Sequence, residues 1–348
     1  MNGKSGILLK IALPVIIGLG VIIWLFYREY KPGTWSLIDF NALTITGIVF
    51  AWIFMAGRDF GLTWRFRSMT DKQLSWRQSL KVTMLCEFSS AITPSAVGGS
   101  AVGMLFLNKE GIEMGRATTL MMTTIFLDEL FFVVLGPIVM TLFPLDTLFS
   151  NFEMWGLHLR WIFWLIYAGI ALWTLLLYIG IFVKPHGVKR LLMSLFSFKI
   201  LRRWLPAVTR LGDNMVTTSQ DIRTRSARWW LRAFSATVTS WTSRFLIVNA
   251  LMLAFTPMGN QLLILGRQFV LWVALMVCPT PGGSGMSEEL FTNYYSDMFS
   301  TDIANPLSVA IIIALFWRII TYYVYLLIGI FLLPSFLSIA KNKTEKQL

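Results

Sequence analysis

The sequence predicts an all-α integral membrane protein with about six transmembrane helices and two re-entrant helical hairpins of inverted topology. Three observations predict it. Of 348 residues, 56% are hydrophobic and 14% charged, with mean hydropathy +0.65; a soluble domain of this size cannot hide so much apolar surface, so the solvent is lipid. Six segments are long and apolar enough to cross a bilayer. Two further apolar stretches are interrupted by proline and glycine, as expected of backbone that dips into a membrane and returns.

The six spans are predicted at 7–27, 37–57, 117–143, 161–183, 233–255 and 307–333. The shortest run about 31 Å at 1.5 Å per residue, which matches the hydrocarbon core. The first reads as a retained signal anchor, because "YREYKP" follows it rather than a small-residue cleavage site. Trp24, Tyr27, Trp35, Trp161, Trp229 and Trp230 fall near span ends, where amphipathic rings belong. Cys86 and Cys278 lie in apolar stretches and read as buried small hydrophobes.

The net charge of +12 reads as basic residues gathered on one side of a membrane, not as a nucleic-acid footprint. If both broken stretches, 82–107 and 262–298, turn back, 24 basic residues lie inside and three outside; if both cross, 12 lie inside and 15 outside. The positive-inside rule therefore predicts a first hairpin entering from the cytoplasm and a second from outside, although the second stretch alone can cross at the cost of moving only the tail lysines. On this reading the chain 1–348 is a single polytopic domain. The loop 184–232, with eleven basic residues, and the tail 340–348 are cytoplasmic, as are both termini. "VKRLLMSLFSFKILRRWL" in that loop suits either an interfacial amphipathic helix or an ordinary basic loop.

In the first broken stretch Pro94 ends a helix and Gly98 and Gly99 permit the return; in the second Pro279, Pro281, Gly282, Gly283 and Gly285 do so. Unpaired backbone at that depth survives only around a protein-lined or wet cavity. Two proline-kinked helices with packing glycines are the plainer alternative. "GGSGMS" lacks the lysine of a nucleotide-binding loop, so no nucleotide is predicted, but the helix starting at Met286 can offer amides to a phosphate.

Ionisable residues fall at mid-span: Asp128 and Glu129, Arg244, and Arg318. Glu87 and Glu288 flank the two breaks. Such groups are costly in hydrocarbon and must face an interior and a partner. They form either a substrate- and ion-binding network or fixed ion pairs between helices, Arg244 with Asp128 first among the latter. Arg267 is expected to snorkel to the surface. His158 and His186 stand alone outside the bilayer core, so no metal, cofactor or nucleophile is predicted.

Three motifs add a resemblance. "E-x6-P-S-x2-G-G" at 87–99, "P-T-P-G-G-x-G-x2-E" at 279–288 and "R-I-I-T-Y-Y" at 318–323 resemble the flippase-like, or lysylphosphatidylglycerol synthase transmembrane-region, family, over about 10–335. The resemblance implies a multi-span protein of the bacterial inner membrane with two re-entrant elements. Some members are implicated in moving modified phospholipids between leaflets, others in polyprenol-linked sugar pathways. It carries motif status to Glu87, Pro94, Gly98, Gly99, Pro281, Gly282, Gly283, Gly285, Glu288 and Arg318. No aminoacyl-transferase domain follows Ile339, so synthesis of lysyl-lipid is not expected. The expected function is translocation of a phospholipid or polyprenyl-linked lipid, passive or ion-coupled. Its partners are membrane lipids with anionic or zwitterionic headgroups. An integral-membrane enzyme acting on a lipid-linked substrate is the alternative.

Overall fold

The computed structural model describes residues 27, 41–93, 97–150, 153–154, 156–197, 205–255, 260–280, 282–299, 306–329 and 331–332. The architecture is all-α apart from a two-residue antiparallel β-ribbon, Glu153–Met154 with Leu157–His158. Among the described residues, five helices are long and apolar enough to cross a membrane. They are α1 (Ala42–Met69), α4 (Met114–Leu142), α6 (Leu159–Tyr178, extended by a π-turn to Val183), α9 (Ala227–Phe255) and α12 (Pro306–Arg318, extended through a π-turn to Gly329). The predicted span 7–27 lies outside the described residues except for Tyr27, and so does the tail 340–348.

The first predicted boundary is corrected. The span expected to end at residue 57 continues to Met69, because Arg58 and Arg65 are buried and paired rather than solvated. Asn41 starts this helix by accepting bonds from the Leu43 and Thr44 amides. α1 lies against α9 with almost no side chain between them. A Cβ on Gly47 would stand 2.6 Å from Ala254 Cβ, and one on Gly61 would stand 2.8 Å from the Ser240 amide. Small residues let two backbones approach this closely, which is how apolar helices associate when lipid removes the usual hydrophobic drive.

Both broken stretches form hairpins. In the first, α2 (Trp76–Ile92) starts at a Ser75/Gln78 capping box and α3 (Val97–Lys109) returns beside it. Gly99 makes the return possible, since a Cβ there would meet Cys86 O at 2.5 Å. The base is tied by Lys81–Glu110 at 2.9 Å, close to where Arg116, at the start of α4, holds Asp71 at 2.9 Å. In the second, α10 (Gln261–Leu275) and α11 (Met286–Tyr295) fold together, with Gln268 donating to Tyr295 at 2.7 Å. Arg267 ties this base. It grips Asp297, with Nη2 at 2.8 Å, and donates to the Thr147 carbonyl, just beyond the other end of α4, at 2.9 Å. Arg267 therefore does not snorkel; it is 3% exposed because Asp297 supplies its counter-charge. The two hairpin bases thus lie at opposite ends of α4, about 43 Å long at 1.5 Å per residue.

The basic region 184–232 is two helices, α7 (Pro185–Phe196) and α8 (Leu205–Arg223), leading into α9. α8 packs on α4 where Gly115 leaves room for Asn214. Arg225 holds both Asp71 and Asp221, pinning the α8–α9 corner to the α1–α2 turn. Cys86 and Cys278 are buried and unbridged, as the sequence indicates.

Candidate functional site

The two hairpins meet at their tips. The Gly282 amide donates to the Thr93 carbonyl at 3.3 Å, and the Tyr322 hydroxyl donates to the Ala91 carbonyl at 3.3 Å. Thr93 is already extended backbone where α2 stops. On the other side Gly282, Gly283 and Gly285 have φ of +58°, +71° and +88°. Gly282 is constrained twice. Its backbone is left-handed, and a Cβ would lie 2.2 Å from the Tyr322 ring and 2.9 Å from Ala91 O. Gly282→Ala is therefore expected to lower the melting temperature, with a loss of about 1–3 kcal/mol from crowding a packed seam. Melting of the purified protein, followed by intrinsic fluorescence, checks it. Pro94 and Pro281 lie outside the described residues. Gly98 lies in the first turn of α3.

The second tip is held by a buried ion pair. Glu288, fully buried, accepts from Arg318 Nε at 2.8 Å, from the Gly285 amide at 2.7 Å and from Ser287 Oγ at 2.8 Å. Arg318 also reaches the Gly282 carbonyl at 3.2 Å and lies over the Tyr322 ring at 3.9 Å. The helix starting at Met286 is expected to offer amides to a phosphate; the Gly285 amide just before it is bonded instead to the chain's own carboxylate, and the Ser287 amide to the Gly283 carbonyl at 2.9 Å. Arg318 is likewise taken up in shaping the tip.

Behind the tips lies a cavity of about 310 Å³. Its walls include Ser90 and Gly99 of the first hairpin, Gly282 and Gly283 of the second, and Asp128, Glu129 and Arg244. Asp128 is the middle residue of α4, and Arg244 lies one turn from the centre of α9, so the cavity sits at mid-height of both helices. A network of both signs surrounds it. Glu87 bridges Arg58 and, at 3.6 Å, Arg244. Arg58 also holds Asp59 at 2.9 Å, and the Tyr325 hydroxyl donates to Asp59 at 2.6 Å. Arg244 lies between two indoles, 4.9 Å from the Trp241 ring and 4.6 Å from that of Trp272.

Asp128 is not the partner of Arg244. It accepts two bonds from Arg65, at 2.6 and 3.1 Å, and one from Trp241 Nε1 at 2.9 Å. This correction has a simple cause: α1 carries Arg65 past the expected span end and into reach, also contacting Thr237 at 3.1 Å. Glu129, one residue on, lines the same cavity with a buried Oε2 that has no hydrogen-bond partner among the described residues. Arg58, Asp59, Arg65 and Tyr325 went unflagged in the sequence. Their signal was spacing: Arg58 and Arg65 share one face of a continued α1, as Arg318, Tyr322 and Tyr325 share one face of α12.

A family model described as the lysylphosphatidylglycerol synthase TM region matches residues 11–329. A UPF0104 membrane protein of Archaeoglobus fulgidus is 25% identical over 337 residues, covering 93% of this chain and 94% of its own length. No solved structure matches the chain.

Proposed function

This chain belongs to the lysylphosphatidylglycerol synthase transmembrane-region family, and from that premise we propose that it is a lipid translocator, moving a phospholipid or polyprenyl-linked lipid between leaflets. The observation that carries the reading is the mid-height cavity between the two hairpin tips, lined by charges of both signs. A headgroup enters it while the tails stay among the exposed apolar residues of the outer helix faces, such as Leu165, Leu172 and Leu176. Interrupted helices converging at mid-depth are a recurrent design for a transport site. On this reading the hairpins are re-entrant elements from opposite faces of a plasma membrane, with the basic α7–α8 region on the cytoplasmic side.

The residues divide by role. Arg244, held among the described residues by one loose ion pair and by ring faces, binds the phosphate. Glu87 and Asp128 balance the cavity's cations. Glu129 Oε2 takes a cationic headgroup or a coupling proton. Glu288 and Arg318 keep the tip in shape. No ATP-binding motif appears in the sequence, so movement is passive or ion-coupled.

The test is reconstitution into liposomes with fluorescent headgroup- or tail-labelled phospholipid, scored by accessibility to an impermeant quencher. Arg244→Gln is expected to slow transfer roughly tenfold or more, the worth of one charge-assisted bond to a phosphate. Transfer at the wild-type rate by that variant, or chemical conversion of the lipid seen by mass spectrometry, would replace this reading with another, the latter with an enzyme.

A further inference from the structure

A second pocket lies away from the cavity, at the end of the molecule that carries the first hairpin's base. Its volume is about 480 Å³, and its walls come from the end of α1, the α1–α2 turn, and the starts of α2 and α9. Arg67 is fixed along one wall: it donates to the Leu74 carbonyl at 2.6 Å and lies 5.1 Å over the Trp76 ring. Lys72, from the α1–α2 turn, and Arg232, from the start of α9, both line the pocket. Both are exposed, and neither side chain has an ion-pair partner among the described residues. The one acid among the described wall residues, Asp71, is taken by Arg116 and Arg225, each at 2.9 Å.

The turn that presents Lys72 is strained. Asp71 and Lys72 have φ of +53° and +63°, a left-handed pair with no glycine in it. Side-chain-bearing residues enter that region only at a cost, and strain of this kind collects at functional sites. Glycine at either position would relieve it; the chain has an aspartate and a lysine there instead.

An apolar path leads away from the same pocket. The Phe60 ring stacks on Trp76 at 5.8 Å and on Trp64 at 6.2 Å, and Phe60 is 53% exposed. Farther along α1, exposed Ile53 and Val49 continue the same stripe. Positive charge over an aromatic ladder, at the end of a membrane-length helix, is the arrangement that holds a headgroup at the interface with its tail beside the helix.

From these observations we propose that this pocket is a binding site for an anionic phospholipid, distinct from the central cavity. The phosphate sits between Lys72 and Arg232, and the acyl chain lies on Phe60, Trp64 and Trp76. Two uncompensated cations select against a headgroup that carries its own ammonium. The tail path selects against free phosphate.

Native mass spectrometry of the detergent-purified full chain, titrated with phosphatidylglycerol or with phosphatidylcholine of identical tails, tests it. The expected result is at least a tenfold preference for phosphatidylglycerol, lost in Lys72→Gln/Arg232→Gln and kept in Arg244→Gln. Lys72→Gly relieves the strained turn, so it is expected to weaken the preference while melting no lower than wild type. Equal binding of the two lipids, or an unchanged preference in the double variant, overturns the proposal. Loss of the preference in Arg244→Gln would move the lipid to the central cavity. Displacement by millimolar inorganic phosphate would make the ligand a soluble phosphate. Failure here leaves the translocation test untouched, because the two sites share no residue among those described.

Discussion

Arg318→Met is expected to destabilise the protein by about 3–5 kcal/mol, the cost of stranding one member of a buried ion pair. Glu288 is fully buried, and its partner is 6% exposed, so water cannot replace the lost guanidinium. The Gly285 amide and Ser287 hydroxyl still solvate one carboxylate oxygen, which places the cost toward the lower end of that range. Arg318 also holds the Gly282 carbonyl, so the tip itself loosens. Glu288→Gln/Arg318→Met removes both charges and is expected to recover most of the loss, since no uncompensated ion remains. Thermal unfolding of the single and double variants in micelles measures this. A single variant as stable as wild type would show that the tip does not depend on the pair.

Glu87→Gln is expected to act on both stability and transfer. Glu87 is the shared counter-ion of Arg58, 1% exposed, and of Arg244. Neutralising it leaves two neighbouring guanidiniums that repel each other, with Asp59 still paired to Arg58. Asp59 remains bonded to Arg58, so the expected loss is about 3 kcal/mol, not the larger figure for a wholly stranded charge. Transfer should fall roughly tenfold, as in Arg244→Gln, because Arg244 loses the group that positions it. A double-mutant cycle with Arg58→Met separates the pair's coupling from each residue's own packing. Additive effects in that cycle would mean that the bridge between α1 and α2 does not couple the two helices.

The sequence made the helices legible because apolar windows of bilayer length have few other uses, and the hairpins legible because proline and glycine break them. Individual charges were legible too: Glu87, Asp128, Glu129, Arg244, Glu288 and Arg318 all stand at or beside the cavity or tip. Their pairing was not. Arg65 meets Asp128 across 63 residues, and only the packing of α1 on α9 decides that contact. Arg58 and Arg65 escaped notice because a hydropathy window closes at the first charge, whether or not that charge is buried. Arg267 was misread for the same reason, as its counter-ion Asp297 comes near only once the second hairpin folds.

Each hairpin is stapled by an ion pair at its own base, while among the described residues one neutral bond of 3.3 Å, Gly282 to Thr93, joins the tips directly, and Tyr322 of α12 bridges them by accepting from Ser284 and donating to Ala91. A neutral bond contributes about 1 kcal/mol, so the packing of Tyr322 with Phe88, Ala91 and Leu326 shares in holding the seam. Tyr322 is thus a shared strut in contact with both tips, so a displacement of α12 bears on both hairpins at once, beside the charged chamber.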